Sequence, residues 1–388
     1  MSERHEPDGE AFDRLRTEPH RRFNPLIDEW LLVSAGRTRR PWQGRKETHP
    51  RDASPVFDPG CYLCPGNVRA NGERNPEYES TFVFTNDFSA LHPDTPTDRI
   101  EVGLLRAEGE AGACHVLCFS PRHDLTLALM GAEAVGRVVD VWADETAELG
   151  RRFRWVQVFE NRGQIMGASN PHPHGQVWAG SALPREAAKE DGAQRRYHAR
   201  TGRRLLLNYA TQELDGPRVV EVNDDWLVVV PFWAAWPYET LLVARRPVER
   251  LPDLGAAQRD SLSRILIRLL TRYDNLFGLS FPYSMGWHQA PFDLGVGDDR
   301  NGADAPESAA HWQLHAHFLP PLLRAHVRKF IVGYELLAEA QRDLTAEQAA
   351  EELRNASPVH RPAEDASIPG RDARTARHTA ARSPSTGD

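Results

Sequence analysis

The chain of 388 residues contains only 4 cysteines, and this scarcity excludes a fold held together by disulfide bonds. No stretch approaches the roughly 18 uninterrupted apolar residues of a membrane-crossing helix, so we expect no membrane partner. The first thirty residues lack the apolar core of a secretory signal, so we expect a cytoplasmic protein. Lys and Arg total 47 against 55 Asp and Glu, for a net charge of -8. We therefore expect no nucleic-acid partner, because such a partner calls for a basic excess.

The two ends of the chain differ in composition from its middle. Residues 357–388 have no aromatic side chain and are rich in Pro, Arg, Ala and Ser, which is typical of a disordered tail. Residues 294–310 are rich in Gly and Asp and indicate a mobile insertion. The sequence thus predicts a mobile N-terminal extension, an N-terminal half, a C-terminal half and a disordered tail, with boundaries 1–20, 21–195, 196–355 and 356–388.

Two passages of the chain share one order of elements. Each has apolar residues at helical spacing, then a strand, then a segment with His-x-His. In the first passage these three elements are residues 135–149, 154–161 and 172–179. In the second they are residues 262–276, 283–289 and 311–318. We interpret this repetition as a degenerate internal duplication.

The other strand candidates lie next to one another along the chain. They are DEWLLVSA, STFVFTND, ACHVLCFS, RVVEV, DWLVVVPF and ETLLVARR. Asn223, Asp224 and Asp225 join RVVEV to DWLVVVPF, which predicts a hairpin. This clustering favours an antiparallel α+β layout over a doubly wound parallel sheet.

The segment GASNPHPHGQVW (167–178) is the strongest candidate for chemistry. In an extended chain alternate side chains share a face, so His172, His174 and Gln176 could converge on one ligand atom. Gly175 has no Cβ and would let a phosphate approach the backbone. The histidines could ligate a metal, or one could be a nucleophile, because neutral imidazole is competent at pH 7. The spacing leaves both roles open.

Cys61 and Cys64 form a Cys-x-x-Cys pair that could belong to a metal site. With His123 and His172 they would make the tetrahedral Cys2His2 set that structural zinc prefers. The two other cysteines are alternative ligands, although burial on an apolar strand also explains them. A redox role is a further alternative, but the Pro and Gly after Cys64 favour a metal-binding turn.

A second group of histidines could hold another metal ion. His315 and His317 share a strand face, and His288 lies on the strand that the duplication places beside them. A carboxylate would complete a three-histidine site suited to iron or zinc. The spacing does not choose that carboxylate.

Taken together, these motifs resemble the galactose-1-phosphate uridylyltransferase family, the transferase branch of the histidine-triad superfamily, over roughly residues 21–355. The matching segments include NPLIDEWLLVSAGRTRRPWQG, CYLCPGN, FVFTNDFSAL, FSPRH, VFENRGQIMGASNPHPHGQVWA, GWHQAPF and HWQLHAHFLPPLLR. The resemblance implies an α+β fold with two related histidine-triad-like halves, each an antiparallel half-barrel sheet with helices outside.

The resemblance also implies a ping-pong reaction of galactose metabolism. His174 would attack the α-phosphorus of UDP-glucose, release glucose 1-phosphate and form a uridylyl-histidine. Galactose 1-phosphate would then take up UMP to give UDP-galactose. Gln176 would donate a hydrogen bond to a phosphoryl oxygen, where the hydrolase branch has a third, titrating histidine. No organic cofactor is expected.

Ligand sets follow from the same resemblance. A structural zinc is implied at Cys61, Cys64, His123 and His172, and a second metal, iron or zinc, at Glu190, His288, His315 and His317. Nucleotide and phosphate contacts are implied for Leu63, Asn86, Asp87, Asn161, Ser169, Lys329, Phe330, Val332, Tyr334, Glu335 and Gln341. Arg37 and Arg40 match arginines that reach phosphate across a homodimer interface. Ala168 departs from the family pattern, which often has Cys there.

Two other functions compete with this one. A phosphorylase of the same superfamily would cleave a nucleoside diphosphate sugar or a dinucleoside polyphosphate with inorganic phosphate, using the same His174 and Gln176. A nonenzymatic metal- or nucleotide-binding regulator would need neither residue, so their presence argues against it.

Overall fold

The computed structural model describes residues 14–15, 17–39, 41, 43–44, 46–47, 54–293 and 309–360. Most of the predicted N-terminal extension, residues 294–308 of the predicted insertion, Arg40 and the predicted tail beyond residue 360 lie outside this part of the chain.

Six α-helices and sixteen strands are formed by the described residues. The helices are α1 (Ala132–Leu149), α2 (Arg185–Thr201), α3 (Leu205–Glu213), α4 (Ala256–Phe277), α5 (Tyr334–Leu337) and α6 (Ala346–Asn355). The strands are β1 (His20–Asn24), β2 (Glu29–Val33), β3 (Phe82–Thr85), β4 (Arg99–Val102), β5 (Leu105–Glu108), β6 (Gly112–Cys118), β7 (Trp155–Arg162), β8 (His174–Gly180), β9 (Val219–Val222), β10 (Trp226–Val229), β11 (Thr240–Ala244), β12 (Tyr283–His288), β13 (His315–Leu319), β14 (Leu322–Arg324), β15 (Val327–Arg328) and β16 (Gln341–Arg342).

Nine strands form one antiparallel sheet in the order β3-β6-β8-β7-β12-β13-β11-β10-β9. At its centre β7 pairs with β12, with Phe159 opposite Gly286. Outward from this pair, β8 and β6 follow on one side and β13 and β11 on the other. The predicted α+β fold of two related halves is therefore confirmed, and the halves share a single open sheet.

Helices α1 and α4 pack on one face of the sheet and form the main core with it. The positions that helical spacing marked in α1 are buried, among them Val135, Val139 and Trp142. In α4 Leu269 and Tyr273 are buried in the same way. Burial of each such large apolar side chain contributes on the order of 2 kcal/mol to stability.

The opposite face of the sheet carries the polar residues predicted to do chemistry. On β8, Val177 and Ala179 point into the helix-facing core, so His174 and Gln176 point to the other face. The same alternation on β13 sends Phe318 into the core and His317 away from it. One face of one sheet thus collects the candidate groups from both halves.

The predicted hairpin of β9 and β10 is confirmed. Thr345 caps α6 by accepting a hydrogen bond from the Gln348 backbone N–H. The predicted boundary after residue 195 falls inside α2 and stays a prediction. No helix in the described ranges is long and apolar enough to cross a membrane.

Candidate active site and metal centres

The loop between β7 and β8 delivers His174 to the sheet. Gly163 and Gly167 lie on either side of a single 3-10 turn with φ of 84° and 82°, a region that side-chain-bearing residues seldom adopt. Asn170 then accepts a hydrogen bond from the His172 backbone N–H at 2.9 Å, which turns the chain toward β8. The strand begins at His174.

The ring of His174 is held in one tautomer. Its Nδ1 lies 2.8 Å from the backbone carbonyl of His172. Since a carbonyl only accepts hydrogen bonds, Nδ1 carries the proton and Nε2 keeps a free lone pair. Burial lowers the pKa of His174, and the bond to His172 partly opposes this. The neutral ring can therefore act as a nucleophile through Nε2.

Gln176 stands two residues further along the strand, beside the same cavity. Its Oε1 accepts hydrogen bonds from Trp178 Nε1 at 2.8 Å and from Asn86 Nδ2 at 3.4 Å. These bonds leave the amide Nε2 to donate to a ligand. The described residues that line the cavity are Phe159, Asn161, Gly167, Ala168, Ser169, His174, Gly175 and Gln176, and none of these is Lys or Arg.

One detail of this segment differs from the prediction, and Gly175 has a second reason to be glycine. His172 precedes the strand, and its ring joins a cysteine cluster, so it does not converge with His174 and Gln176 on one ligand atom. Gly175 lacks a Cβ for a packing reason. A Cβ there would lie 2.9 Å from both the Phe119 ring and the Phe159 carbonyl oxygen.

The first candidate metal centre is formed by Cys61, Cys64, His123 and His172. All four are buried, and their ligand atoms lie within 4.8 Å of one another. His172 Nε2–H donates to the Ser120 carbonyl at 2.9 Å, so Nδ1, which lies 3.5 Å from Cys64 Sγ, is the atom that faces the cluster.

The chemistry of this centre fits a bound cation. Burial raises the pKa of the Cys64 thiol to about 11 and lowers that of His172 to about 4. A cation would stabilise the thiolate that burial disfavours, and Cys2His2 is a set that suits zinc. The two other cysteines are buried outside the cluster.

The second candidate metal centre gathers Glu190, His288, His315 and His317. Their ligand atoms also lie within 4.8 Å of one another. The pairing of His288 with His315 across β12 and β13 is as predicted. Helix α2 supplies Glu190, whose carboxylate lies 2.8 Å from His288 Nδ1. The carboxylate that the spacing could not choose therefore converges with the three histidines.

Protonation and hydrogen bonding at this centre also fit a cation. Burial acts to raise the pKa of Glu190, but the charge and hydrogen bond of His288 hold it well below its usual value. Burial lowers the pKa of His317 to about 4. The Nε2 atoms of His315 and His317 have no hydrogen-bond partner in the described part of the chain and lie 3.3 and 3.4 Å from Glu190 oxygens. Such bare imidazole nitrogens beside a carboxylate are typical of iron or zinc ligands.

The other predicted contact residues fall into two groups. Asn161 and Ser169 line the His174 cavity, and Asn86 touches Gln176. Leu63 packs with the first metal centre, and Asp87 lies 3.8 Å from Arg69.

The second group lies elsewhere and lines no part of the His174 cavity. Lys329 Nζ lies 3.3 to 3.4 Å from oxygens of Glu335, Gln341 and Asp343, and Arg37 bonds to the same Asp343 at 3.0 Å. The remaining members, exposed on the adjoining segment, are Phe330, Val332 and Tyr334.

Sequence reasoning missed three contributors to the site. Asn170 bonds to both Cys61 and His172, Trp178 fixes the amide of Gln176, and the Ser120 carbonyl fixes the tautomer of His172. Of these three, only the role of Asn170 could have been predicted from the sequence, because an Asn side chain often accepts a hydrogen bond from the backbone N–H two residues later.

Comparison with known proteins decides the family. Residues 10–184 match the N-terminal domain, and residues 190–365 the C-terminal domain, of galactose-1-phosphate uridyl transferase. A galactose-1-phosphate uridylyltransferase of Rattus norvegicus is 53% identical over 350 residues, which are 89% of this chain and 90% of that protein. The chain belongs to the galactose-1-phosphate uridylyltransferase family. The Haemophilus influenzae member is 52% identical over 345 residues, covering 88% of this chain and 95% of its own.

Solved structures support the same fold. A uridylyltransferase is 21% identical with a TM-score of 0.67, covering 87% of this chain and 98% of its own. An ADP-glucose phosphorylase from Arabidopsis thaliana, solved with bound ADP-glucose, is 18% identical with a TM-score of 0.67, covering 88% and 100%.

Proposed function

We propose that this protein is a UDP-glucose:hexose-1-phosphate uridylyltransferase that exchanges UMP between UDP-glucose and galactose 1-phosphate through a uridylyl-histidine. The observation that carries the proposal is the fixed tautomer of His174, whose Nε2 is bare beside the amide of Gln176. Family membership and the similar relatives named above support the choice of substrates.

In the first half-reaction the Nε2 lone pair of His174 attacks the α-phosphorus of UDP-glucose. A P–N bond forms, the P–O bond to glucose 1-phosphate breaks, and that sugar phosphate leaves as an anion. The His172 carbonyl, 2.8 Å from Nδ1, stabilises the positive charge that develops on the imidazole. Because the leaving group is already anionic, no proton has to move.

In the second half-reaction a phosphate oxygen of galactose 1-phosphate attacks the same phosphorus. The P–N bond breaks, UDP-galactose leaves, and His174 regains its neutral form. Gln176 Nε2–H donates to a nonbridging oxygen in both steps. An amide does not titrate near neutral pH and cannot act as a general acid or base, so it stabilises the intermediate without activating water to hydrolyse it.

The cavity needs positive charge that its own lining does not supply. The substrates carry several phosphate charges, yet the lining of the His174 cavity, as far as the structure describes it, contains no Lys or Arg. We infer that the protein is a homodimer in which Lys329, Arg37 and Arg40 of one subunit reach phosphate in the site of the other. Guanidinium groups suit phosphate oxygens geometrically. The exposure of the apolar Phe330 and Val332 beside Lys329 supports an interface there.

Mixed dimers would test this arrangement. A dimer of one His174→Gly subunit and one Lys329→Ala subunit would contain one site with both residues intact. Activity that appears on mixing two inactive variants would support the shared site, whereas a mixture as inactive as its components would contradict it.

Both metals have structural roles in this proposal. Cys61, Cys64, His123 and His172 would hold zinc, and Glu190, His288, His315 and His317 would hold iron or zinc. The first ion would fix His172, whose carbonyl orients His174. The cytoplasmic location stays a prediction.

The direct test is the intact mass of the purified protein after mixing with UDP-glucose alone, with released glucose 1-phosphate assayed in the same tube. We expect a uridylyl adduct that galactose 1-phosphate discharges. Absence of both adduct and sugar phosphate from metal-replete protein would refute the transferase. Turnover with orthophosphate as fast as with galactose 1-phosphate would favour the phosphorylase instead.

A further inference from the structure

A chain of hydrogen bonds connects the first metal centre with the tautomer of His174. Asn170 Nδ2–H donates to Cys61 Sγ at 3.4 Å, and Asn170 Oδ1 accepts from the His172 backbone N–H at 2.9 Å. The carbonyl of that same His172 then accepts from His174 Nδ1–H at 2.8 Å. One amide thus touches both a metal-centre sulfur and the residue that orients the reactive ring.

The surroundings of Asn170 leave it little freedom. Its side chain is buried, with 7% of the residue exposed, and so is that of Cys61. The chain is also held on the other side of His172, because the Pro173 carbonyl accepts from the Phe119 backbone N–H at 2.9 Å. With the backbone held on both sides, a rotation at His172 would move the carbonyl that accepts from His174 Nδ1–H and would turn the His174 ring.

In the second half of the chain, the residue four positions before His315 also bonds close to a candidate metal centre. His315 donates from Nδ1 to the Gln313 carbonyl at 2.8 Å, as His174 does to His172. Four residues before His315, His311 donates to Asp191, which follows the ligand Glu190 on α2, at 2.8 Å. Four residues before His174 stands Asn170. Each half thus ties this position to an element that carries a metal ligand.

We propose that Asn170 is a positioning residue that couples the first metal centre to the ring orientation of His174. Its two hydrogen bonds act together: one keeps the turn against Cys61, and the other sets the His172 peptide. The inference rests on the proposed function, since the ring that it positions is the nucleophile of that reaction.

The test compares the rate of uridylyl-histidine formation in a single turnover at saturating UDP-glucose, with zinc content measured on the same samples. Asn170→Ala removes both hydrogen bonds. Asn170→Ser can still accept from the His172 N–H but is too short to reach Cys61. Asn75→Ala is the matched control, because Asn75 is a buried amide whose hydrogen bonds, among the described residues, go to the carbonyls of Tyr62 and Cys64 and not to His172.

For Asn170→Ala we expect zinc to be retained, the KM for UDP-glucose to change by less than about threefold and the single-turnover rate to fall by about 10- to 100-fold, the usual effect of removing an outer-shell partner. Asn170→Ser should recover part of that rate. Zinc-loaded Asn75→Ala should react as fast as the wild type.

Several results would overturn the inference. One is a wild-type rate in zinc-loaded Asn170→Ala, and another is an equal loss in Asn75→Ala. A Ser variant as fast as the wild type, or as slow as the Ala variant, would contradict a role that needs both hydrogen bonds. If Asn170→Ala fails to fold, the comparison of Asn170→Ser with the wild type decides the matter. If the wild-type protein forms no adduct, the proposed function is wrong. If the adduct forms equally fast in all variants, the proposed function stands and only the role of Asn170 is wrong.

Discussion

The two halves of the sheet place different side chains at equivalent positions. Phe159 lies opposite Gly286 at the centre, Gln176 lies opposite Phe159, and His317 lies opposite Gly286. Gln176 and His317 therefore correspond to each other. Two residues before Gln176 and His317 stand His174 and His315, which therefore also correspond. Two residues after Phe159 and Gly286 stand Asn161 and His288, which form the remaining pair.

Under the proposed roles, one framework serves chemistry in the first half of the chain and metal binding in the second. His174 and His315 each donate from Nδ1 to a backbone carbonyl two residues earlier, and each keeps a bare Nε2. In the second half α2 brings Glu190 within 3.3 Å of that nitrogen, and two more histidines surround it. In the first half Nε2 belongs to a cavity lined by amides. The groups that face the imidazole decide its role.

The largest effect should come from removing each of the two equivalent histidines. His174→Gly should lower the exchange rate by about 10⁴-fold or more, because no other group can form the covalent intermediate. His315→Gly should lose the second metal but still form the uridylyl adduct. Intact mass and metal analysis of both variants measure this contrast. An active His174→Gly variant would contradict the proposed nucleophile.

Removal of Glu190 should break the second metal centre. In Glu190→Ala the buried His315 and the partly buried His288 and His317 lose their carboxylate, so we expect the second metal to be lost and the free energy of unfolding to fall by about 3–5 kcal/mol. Metal analysis and denaturant unfolding measure these effects.

The control is Glu145→Ala, which removes a partly exposed carboxylate 2.6 Å from His115. Such a pair contributes about 1 kcal/mol or less, and this variant should keep both metals. Unchanged metal content in Glu190→Ala would contradict the second ligand set.

A double substitution can make the first half resemble the second. Asn161→His together with Gln176→His would surround Nε2 of His174 with two imidazoles. We expect an additional zinc ion per chain and a transfer rate lower by roughly 10²- to 10³-fold, because the amide donor to phosphate is gone. Metal stoichiometry and steady-state kinetics measure both changes. Full activity without extra metal would show that the correspondence has no chemical meaning.

The smallest effect should come from the residues that follow the two histidines. Gly175 has no room for a Cβ beside Phe119, so Gly175→Ala should destabilise the fold by about 1–3 kcal/mol. Its counterpart Ala316 is fully buried in the core, and Ala316→Gly should cost about 1 kcal/mol. Denaturant unfolding compares them. A Gly175→Ala variant as stable as the wild type would contradict the packing explanation.

Strand patterns and motifs predicted much of the fold. Alternation along HPHGQVWA put His174 and Gln176 on one face, and the repeated order of elements predicted the two halves. Both proved correct because strand side chains alternate whatever surrounds them. Spacing and ligand chemistry proposed the Cys2His2 set and the three histidines of the second centre, and the resemblance added Glu190; the members of each set lie close together in the structure.

Other features depend on contacts that local sequence does not specify. The ring of His172 leaves the face of His174 because the strand begins only at residue 174 and the Ser120 carbonyl holds the ring elsewhere. The need for glycine at 175 comes from Phe119, which is distant in sequence and becomes a neighbour only when β6 pairs with β8.

The central pairing of β7 with β12 also bears on how this chain can be divided. Each of these strands is an interior strand only while the other half is present. A half expressed alone would expose a long edge with unpaired backbone N–H and C=O groups, and such edges pair readily with other copies. Separate halves would therefore self-associate, and β7 and β12 are both protected as interior strands only when the two halves are joined.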